Sequence, residues 1–256
     1  MADHSSTRPY RQIDPRKIIG TIDLLGNRIT ERFPESGLSK VVGELDLIAG
    51  EAVARTEWIQ RPILPLRIGA GLLVGAILVL IGWLITSLNR PDMKDTSNFI
   101  QFIESSIGSV VFIGATILFL INCETRIKRQ RALKAIHELR SLAHIVDMHQ
   151  LTKDPDRYLL GGNVTASSPK RTMTPFELGR YLDYCSEILS LISKIAALYV
   201  QGLEDQVILD AVDEIEDLTA GLSRKIWQKI TILDSIVSRV PETPKPGGHD
   251  SEALQQ

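Results

Sequence analysis

The chain has 256 residues, with 29 Lys and Arg against 31 Asp and Glu, for a formal net charge of -2. That balance lacks the basic excess of a general nucleic-acid binder, so nucleic acid is not expected as a partner. Mean hydropathy is only +0.04, but apolar residues crowd into two windows between positions 66 and 123.

The first residues, MADHSSTRPYRQIDPRK, are polar and carry no adjoining apolar core, which argues against a secretory signal and for a disordered N-terminus over 1–13. Asp14-Pro15 then reads as an N-cap followed by the first helical residue. Ile18, Ile22, Leu25 and Ile29 repeat at helical spacing, FPESG interrupts them through Pro34 and Gly37, and Leu38, Val41, Leu45, Ile48 and Ala52 resume the stripe. Residues 14–61 are therefore expected to form a helical hairpin.

Residues 68–88, IGAGLLVGAILVLIGWLITSL, contain no charge and are long enough for a hydrocarbon core of roughly 30 Å. Arg67 and Arg90 bracket them and Trp83 lies near one end, a common place for an amphipathic ring. The first transmembrane helix is placed at 66–88. Gly71, Gly75 and Gly82 lie along it, where small residues permit close helix packing, within one hairpin or between copies. Residues 89–104 balance Arg90 and Lys94 against Asp92, Asp95 and Glu104 and read as a short external loop. The second charge-free window, 105–123, reads as transmembrane helix two.

Arg126, Lys128, Arg129, Arg131 and Lys134 follow at once. Positive residues stay on the cytoplasmic side, so both termini are expected there, with the two spans in a plasma or inner membrane. The same five residues are candidate contacts for anionic lipid headgroups, at roughly 1 kcal/mol each near the surface. Residues 124–150 form the expected juxtamembrane amphipathic helix, with Ala132, Ala135, Ile136, Leu139, Leu142, Ala143 and Val146 on one face. His137 and His144 fall opposite, seven residues and about 10 Å apart, too far to share one zinc ion. His149 points elsewhere, and no metal, cofactor or catalytic assignment follows.

Residues 151–174 read as a linker rich in Gly, Ser, Thr and Pro. Its Asn163-Val164-Thr165 sequon would not meet the glycosylation machinery in the cytoplasm, and Gly161-Gly162 lacks the Gly-Lys-Ser/Thr of a phosphate loop. Thr174, Pro175 and Glu177 form a capping-box signature. Leu178, Leu182, Cys185, Leu189, Ile192, Ala196 and Tyr199 then alternate four and three, as in a coiled-coil or bundle seam. Ile208, Ala211, Ile215, Leu218 and Leu222 carry the seam on, and Ile226, Ile230, Leu233, Val237 and Val240 extend it. The helical bundle segment is placed at 175–240 and a disordered tail at 241–256. Asp210, Asp213, Glu214, Glu216 and Asp217 decorate the exposed side, facing solvent or a basic partner, the juxtamembrane helix of this chain included.

The expected class is all-α: an integral membrane protein with a two-helix transmembrane hairpin and a cytoplasmic, coiled-coil-like helical bundle. The function expected from this pattern is non-catalytic protein interaction, scaffolding or regulation, with membrane lipids and either a protein partner or a homo-oligomer as partners. The alternative is an oligomeric channel or transporter accessory subunit, against which the lack of intramembrane charge counts. An enzyme would have to draw on the histidine helix with Asp147, Tyr181, Tyr184 or Cys185.

Overall fold

A computed structural model describes residues 12–87, 96–155, 166, 172–202 and 205–238. The described residues form six helices and no strand. They are α1 (Pro15–Arg32), α2 (Gly37–Gln60), α3 (Leu64–Ser87), α4 (Thr96–Leu151), α5 (Pro175–Gly202) and α6 (Gln206–Val237). Most of the expected N-terminal segment 1–13, part of the loop 89–104, most of the linker 151–174 with its sequon, and the tail 241–256 lie outside the described residues.

Local chemistry sets the helix starts. The Asp14 carboxylate accepts from the Arg16 amide at 2.9 Å, and the Ser36 hydroxyl accepts from the Ser39 amide at 3.2 Å. Thr174 and Glu177 bond reciprocally, the Thr174 amide donating to the carboxylate at 2.7 Å and the Glu177 amide donating to the Thr174 hydroxyl at 3.2 Å. Each arrangement satisfies amides that an α-helix leaves without an internal partner. The turn between α1 and α2 departs from expectation. Glu35, with φ 58°, takes the left-handed conformation, while Gly37 opens α2 and lies so close to the His149 imidazole that a Cβ there would overlap the ring. The glycine serves a close approach, not the turn.

The described residues fall into two compact units, one within Met1–Ile19, Leu47–Arg140 and Lys194–Ile215, the other within Gly20–Asp46, Ser141–Ser193 and Glu216–Gln256. In the first, Ala52 and Ile59 of α2, Ala135, Ile136 and Leu139 of α4, Ile195 and Tyr199 of α5, and Ile208 and Ile215 of α6 are buried. Arg129 of α4 pairs with Asp205 just before α6, and Arg140 of α4 pairs with Glu214 of α6. Both members of the pairs rise together in number, so the two helices run parallel there. In the second unit, Ile22, Leu25 and Ile29 of α1, Leu38 and Leu45 of α2, and Leu182, Ile188 and Ile192 of α5 are buried. Phe33 meets Tyr181 and Tyr184 edge-on, with ring centroids at 5.4 and 6.3 Å, a favoured aromatic geometry.

Two expectations about the seam change. On α5, Tyr181, Tyr184, Ile188, Leu191, Ile195 and Leu198 are buried in addition to the heptad positions. A helix covered this widely belongs to a bundle of packed helices rather than to a two-stranded coil. On α6, Val212 and Thr219 are buried where Ala211 and Leu218 were expected, and Ile236 is buried while Val237 is exposed. A straight helix turns once in 3.6 residues and drifts away from a strict seven-residue repeat. Val212 also offers more surface to bury than Ala211. α6 continues through Gly221 without a break.

One described stretch, beginning at Val110 within α4, is long and apolar enough to cross a membrane. The apolar part of α3, Arg67–Trp83, spans only about 26 Å at the helical rise, short of the roughly 30 Å core. The described residues thus hold one membrane-length apolar stretch where the sequence pattern predicts two. Large apolar side chains on both helices face outward, among them Leu72, Val79 and Trp83 of α3 and Val110, Phe112 and Phe119 of α4.

The cores separate core-lining from surface residues sharply. Leu139→Ala should lower stability by roughly 2–5 kcal/mol, through lost burial and the cavity left behind. Leu24→Ala, at an exposed site, should change it by less than about 0.5 kcal/mol. Chemical denaturation of the detergent-solubilised chain measures both.

Candidate functional surfaces

Halfway along α4 the residues change from uniformly apolar to one-sided, and Glu124 marks that point. Its carboxylate accepts from the Ile63 amide at 3.3 Å, from Arg67 Nε at 3.2 Å and from Lys128 Nζ at 3.0 Å. The side chain is only 12% exposed, against 11% for Lys128 and 64% for Arg67. Ile63 immediately precedes α3, so the carboxylate meets the amide end of that helix, where the backbone dipole favours negative charge. Pro62 and Pro65 flank this entry and limit its backbone freedom. Burial acts to raise the Glu124 pKa. The bonds from Lys128, Arg67 and the Ile63 amide outweigh it and hold the carboxyl below its ordinary value.

The basic residues expected to contact lipid divide into two groups. Three are engaged within the protein: Lys128 is buried beside Glu124, Arg129 donates to Asp205 at 2.7 and 3.0 Å, and the Arg131 guanidinium lies 4.0 Å from the centroid of the Trp58 ring. Arg126 and Lys134 are exposed. Asp205 has a second task, accepting from the Val207 amide at 3.1 Å to cap α6. Its burial opposes ionisation, yet Arg129 and the cap bring its pKa below the ordinary value. One of the acidic residues on α6, Glu214, meets the second half of α4 through Arg140, while Asp210 receives Gln206 of its own helix at 2.8 Å. Sequence reasoning proposed a basic partner for this acidic run without singling out these pairs, and it missed Asp205 because that residue precedes the run.

Arg55 in the same unit joins Glu51 at 2.5 Å and Glu138 at 2.8 Å. Beside them the Tyr199 hydroxyl is buried without a hydrogen bond of normal geometry. Burial pushes its pKa above the ordinary value against the opposing pull of Arg55.

The three glycines of α3 face open space. A Cβ at Gly71, Gly75 or Gly82 would meet nothing within 4 Å, so no described helix of the chain packs closely on them. His137 and His144 are exposed, and His149 is half-buried against Gly37. Among the described residues no group of three His, Cys, Asp or Glu side chains could hold a metal ion.

The second unit brings Cys185, Tyr181 and Lys229 into one neighbourhood, but not as a reactive set. Cys185 is fully buried. Burial pushes its thiol up to about 12, against the smaller opposing influence of Lys229 and Lys153. Burial also raises Tyr181 and lowers Lys229, the latter against the pull of Asp154 and Asp147. Lys229 Nζ donates to the Gln150 carbonyl at 2.8 Å and to its side-chain oxygen at 2.7 Å. A cation is thereby placed at the C-terminal end of α4, where free carbonyls need donors. Asp147 accepts from Gln150 at 2.6 Å. These are structural tasks, and a neutral buried thiol is a poor nucleophile.

Comparison with protein-family models, with curated proteins and with solved structures gave no match.

Removing the Glu124 charge strands the buried Lys128 cation. Glu124→Leu should destabilise the protein by on the order of 3 kcal/mol, and Glu124→Leu/Lys128→Met should recover most of that loss. Thermal unfolding in detergent reads the difference. The contribution of the Glu124 ion pairs is also pH-dependent. Because the folded pKa lies below the unfolded one, their stabilisation is fully present above about pH 4.5 and is lost as pH falls through the lower folded value. Cys185 should remain unmodified by maleimide at pH 7–9 in the folded protein and react once the chain is unfolded, as counted by mass spectrometry.

Proposed function

We propose that this chain is a non-catalytic, membrane-anchored interaction protein that crosses the bilayer twice as a helical hairpin. Both termini lie on the cytoplasmic side, where the helical bundle acts as a docking or scaffold element. The observation that carries this reading is the change of environment along one continuous helix, α4. Its first half turns Val110, Phe112, Leu118 and Phe119 outward, while Ala132, Ala135, Ile136 and Leu139 farther along are buried. An outward apolar surface of this kind needs lipid or protein to cover it.

Support for the second crossing comes from α3. The helix runs 24 residues from Leu64 to Ser87, about 36 Å at the helical rise, and carries no charge beyond Arg67. The basic residues that follow residue 123 orient the hairpin. Arg126, Arg131 and Lys134 are exposed; Arg131 lies over the Trp58 ring, which leaves Arg126 and Lys134 as the lipid-facing candidates. The docking role is supported by a charged, helix-built surface lying close to the anchor, since helical faces are a common means of recognition.

The full-length chain should remain in the membrane after alkaline carbonate extraction. A Met93→Cys/Cys123→Ser variant should be labelled by an impermeant maleimide from outside intact cells, and a Ser251→Cys/Cys123→Ser variant only after lysis. Labelling of position 251 from outside would overturn the cytoplasmic C-terminus, and labelling of both positions from outside would overturn the hairpin. Release of the protein by carbonate would overturn the anchor itself.

A further inference from the structure

The basic outward face of α4 and the acidic outward face of α6 are matched in height. In the first unit the two helices run parallel, and Arg129 and Asp205 tie them together at 2.7 Å. Counting from that tie within this unit, exposed positions shared by both helices fall one, two, five and eight residues on: Gln130, Arg131, Lys134 and His137 of α4, and Gln206, Val207, Asp210 and Asp213 of α6, with Leu209 and Glu214 exposed on α6 besides. Each residue rises 1.5 Å, so Lys134 and Asp210 both stand about 7.5 Å beyond the tie. His137 and Asp213 both stand about 12 Å beyond it. Among the described residues, Lys134 and Asp213 have no ion-pair partner, and Asp210 receives only Gln206 of its own helix.

This inference rests on the membrane-anchored reading above. Copies held in one membrane share their depth and their direction. Their α4 and α6 helices are then presented to each other parallel and at equal height, which is also how these helices pair within one chain. We propose that α6 of a second copy docks on the outward face of α4, with Lys134 of one copy opposite Asp210 of the other.

The complementary surface is on the chain itself and in register, which favours a second copy over an unrelated acidic protein. A basic face meeting only lipid headgroups would need no acidic face at matching heights. Gly71, Gly75 and Gly82 add an independent feature within the proposed first span, since their Cβ positions face open space and would admit a helix at close range. The contact joins two different faces, so copies add head to tail and form a ring if the rotation closes. A single exposed ion pair is weak. Its work is to choose register and partner, while confinement to one membrane supplies the local concentration.

The test uses full-length protein, made separately with light and heavy nitrogen, mixed in phosphatidylcholine vesicles and treated with a zero-length carbodiimide crosslinker. A Lys134–Asp210 crosslink joining one light and one heavy chain is expected. In the same vesicles, energy transfer between labelled copies should show self-association weakened about fivefold or more by Lys134→Glu and by Asp210→Lys. The double variant Lys134→Glu/Asp210→Lys should restore it. Crosslinks confined to single chains, mixed crosslinks that map elsewhere, or a double variant no better than the singles would overturn the inference. Self-association that fails in vesicles, with stable crosslinks to a different protein in native membranes, would overturn the second-copy inference and leave the interaction reading standing. Release by carbonate would overturn both.

Discussion

The Glu124 carboxylate sits where one helix must satisfy two incompatible surroundings. Before it, α4 presents apolar side chains outward. After it, the helix has one buried and one polar face. A charge at such a junction is costly unless it is paired and hydrogen-bonded. Here three donors from two segments surround it: Ile63 and Arg67 at the start of α3, and Lys128 one turn along α4. Because the Ile63 donor is a backbone amide, the carboxylate fixes the entry of α3 and not merely the position of a long side chain. The relation between the two apolar helices therefore depends on an interaction that is itself neither apolar nor within the apolar windows.

That arrangement changes how the basic run after the apolar stretch is understood. A count of positive residues treats Arg126, Lys128, Arg129, Arg131 and Lys134 as equivalent. The fold does not: Lys128 neutralises Glu124, Arg129 ties α4 to the start of α6, and Arg131 covers Trp58. The side chains divide by helical angle. Positions 128, 132, 135 and 139 turn toward the core, whereas 126, 130, 134 and 137 turn away at about 100° per residue. Charges that hold the bundle together and charges left on its exposed side are thus neighbours in sequence.

Much of the fold was legible because its causes are local. The apolar stripes of α1 and α2 and the reciprocal Thr174–Glu177 bonds need only a few residues of context. The long register of α6 was less legible, since small departures from a seven-residue repeat accumulate until Val212 and Thr219 replace Ala211 and Leu218 in the core. The width of the buried face on α5 could have been found, as Ile188, Leu191, Ile195 and Leu198 add apolar positions beyond one seam. The membrane reading was partly legible: one apolar stretch of spanning length stands, whereas the apolar part of α3, Arg67–Trp83, is shorter than its charge-free window implied. The partners of the charged residues were not legible individually. Arg129 and Asp205 are 76 positions apart, and Arg55 and Glu138 are 83 apart. No periodicity connects them, and several carboxylates could have served each cation equally well on charge alone.

Magnitudes explain why these pairs matter despite the small value of most surface ion pairs. An exposed pair is typically worth less than about 1 kcal/mol, too little to assemble a bundle whose buried leucines and isoleucines each contribute roughly 1.5–3 kcal/mol. Apolar burial therefore supplies most of the cohesion, but it is non-directional and tolerates slippage along parallel helices. The Asp205 side chain is 5% exposed while Arg129 is 40% exposed, so the carboxylate has surrendered most of its hydration and depends on its partner. Moving α4 past α6 by one turn would break that bond and leave the Asp205 carboxylate buried without its cation. The penalty falls on the misaligned state, and the ion pair thereby sets a register that the apolar core alone would leave loosely specified.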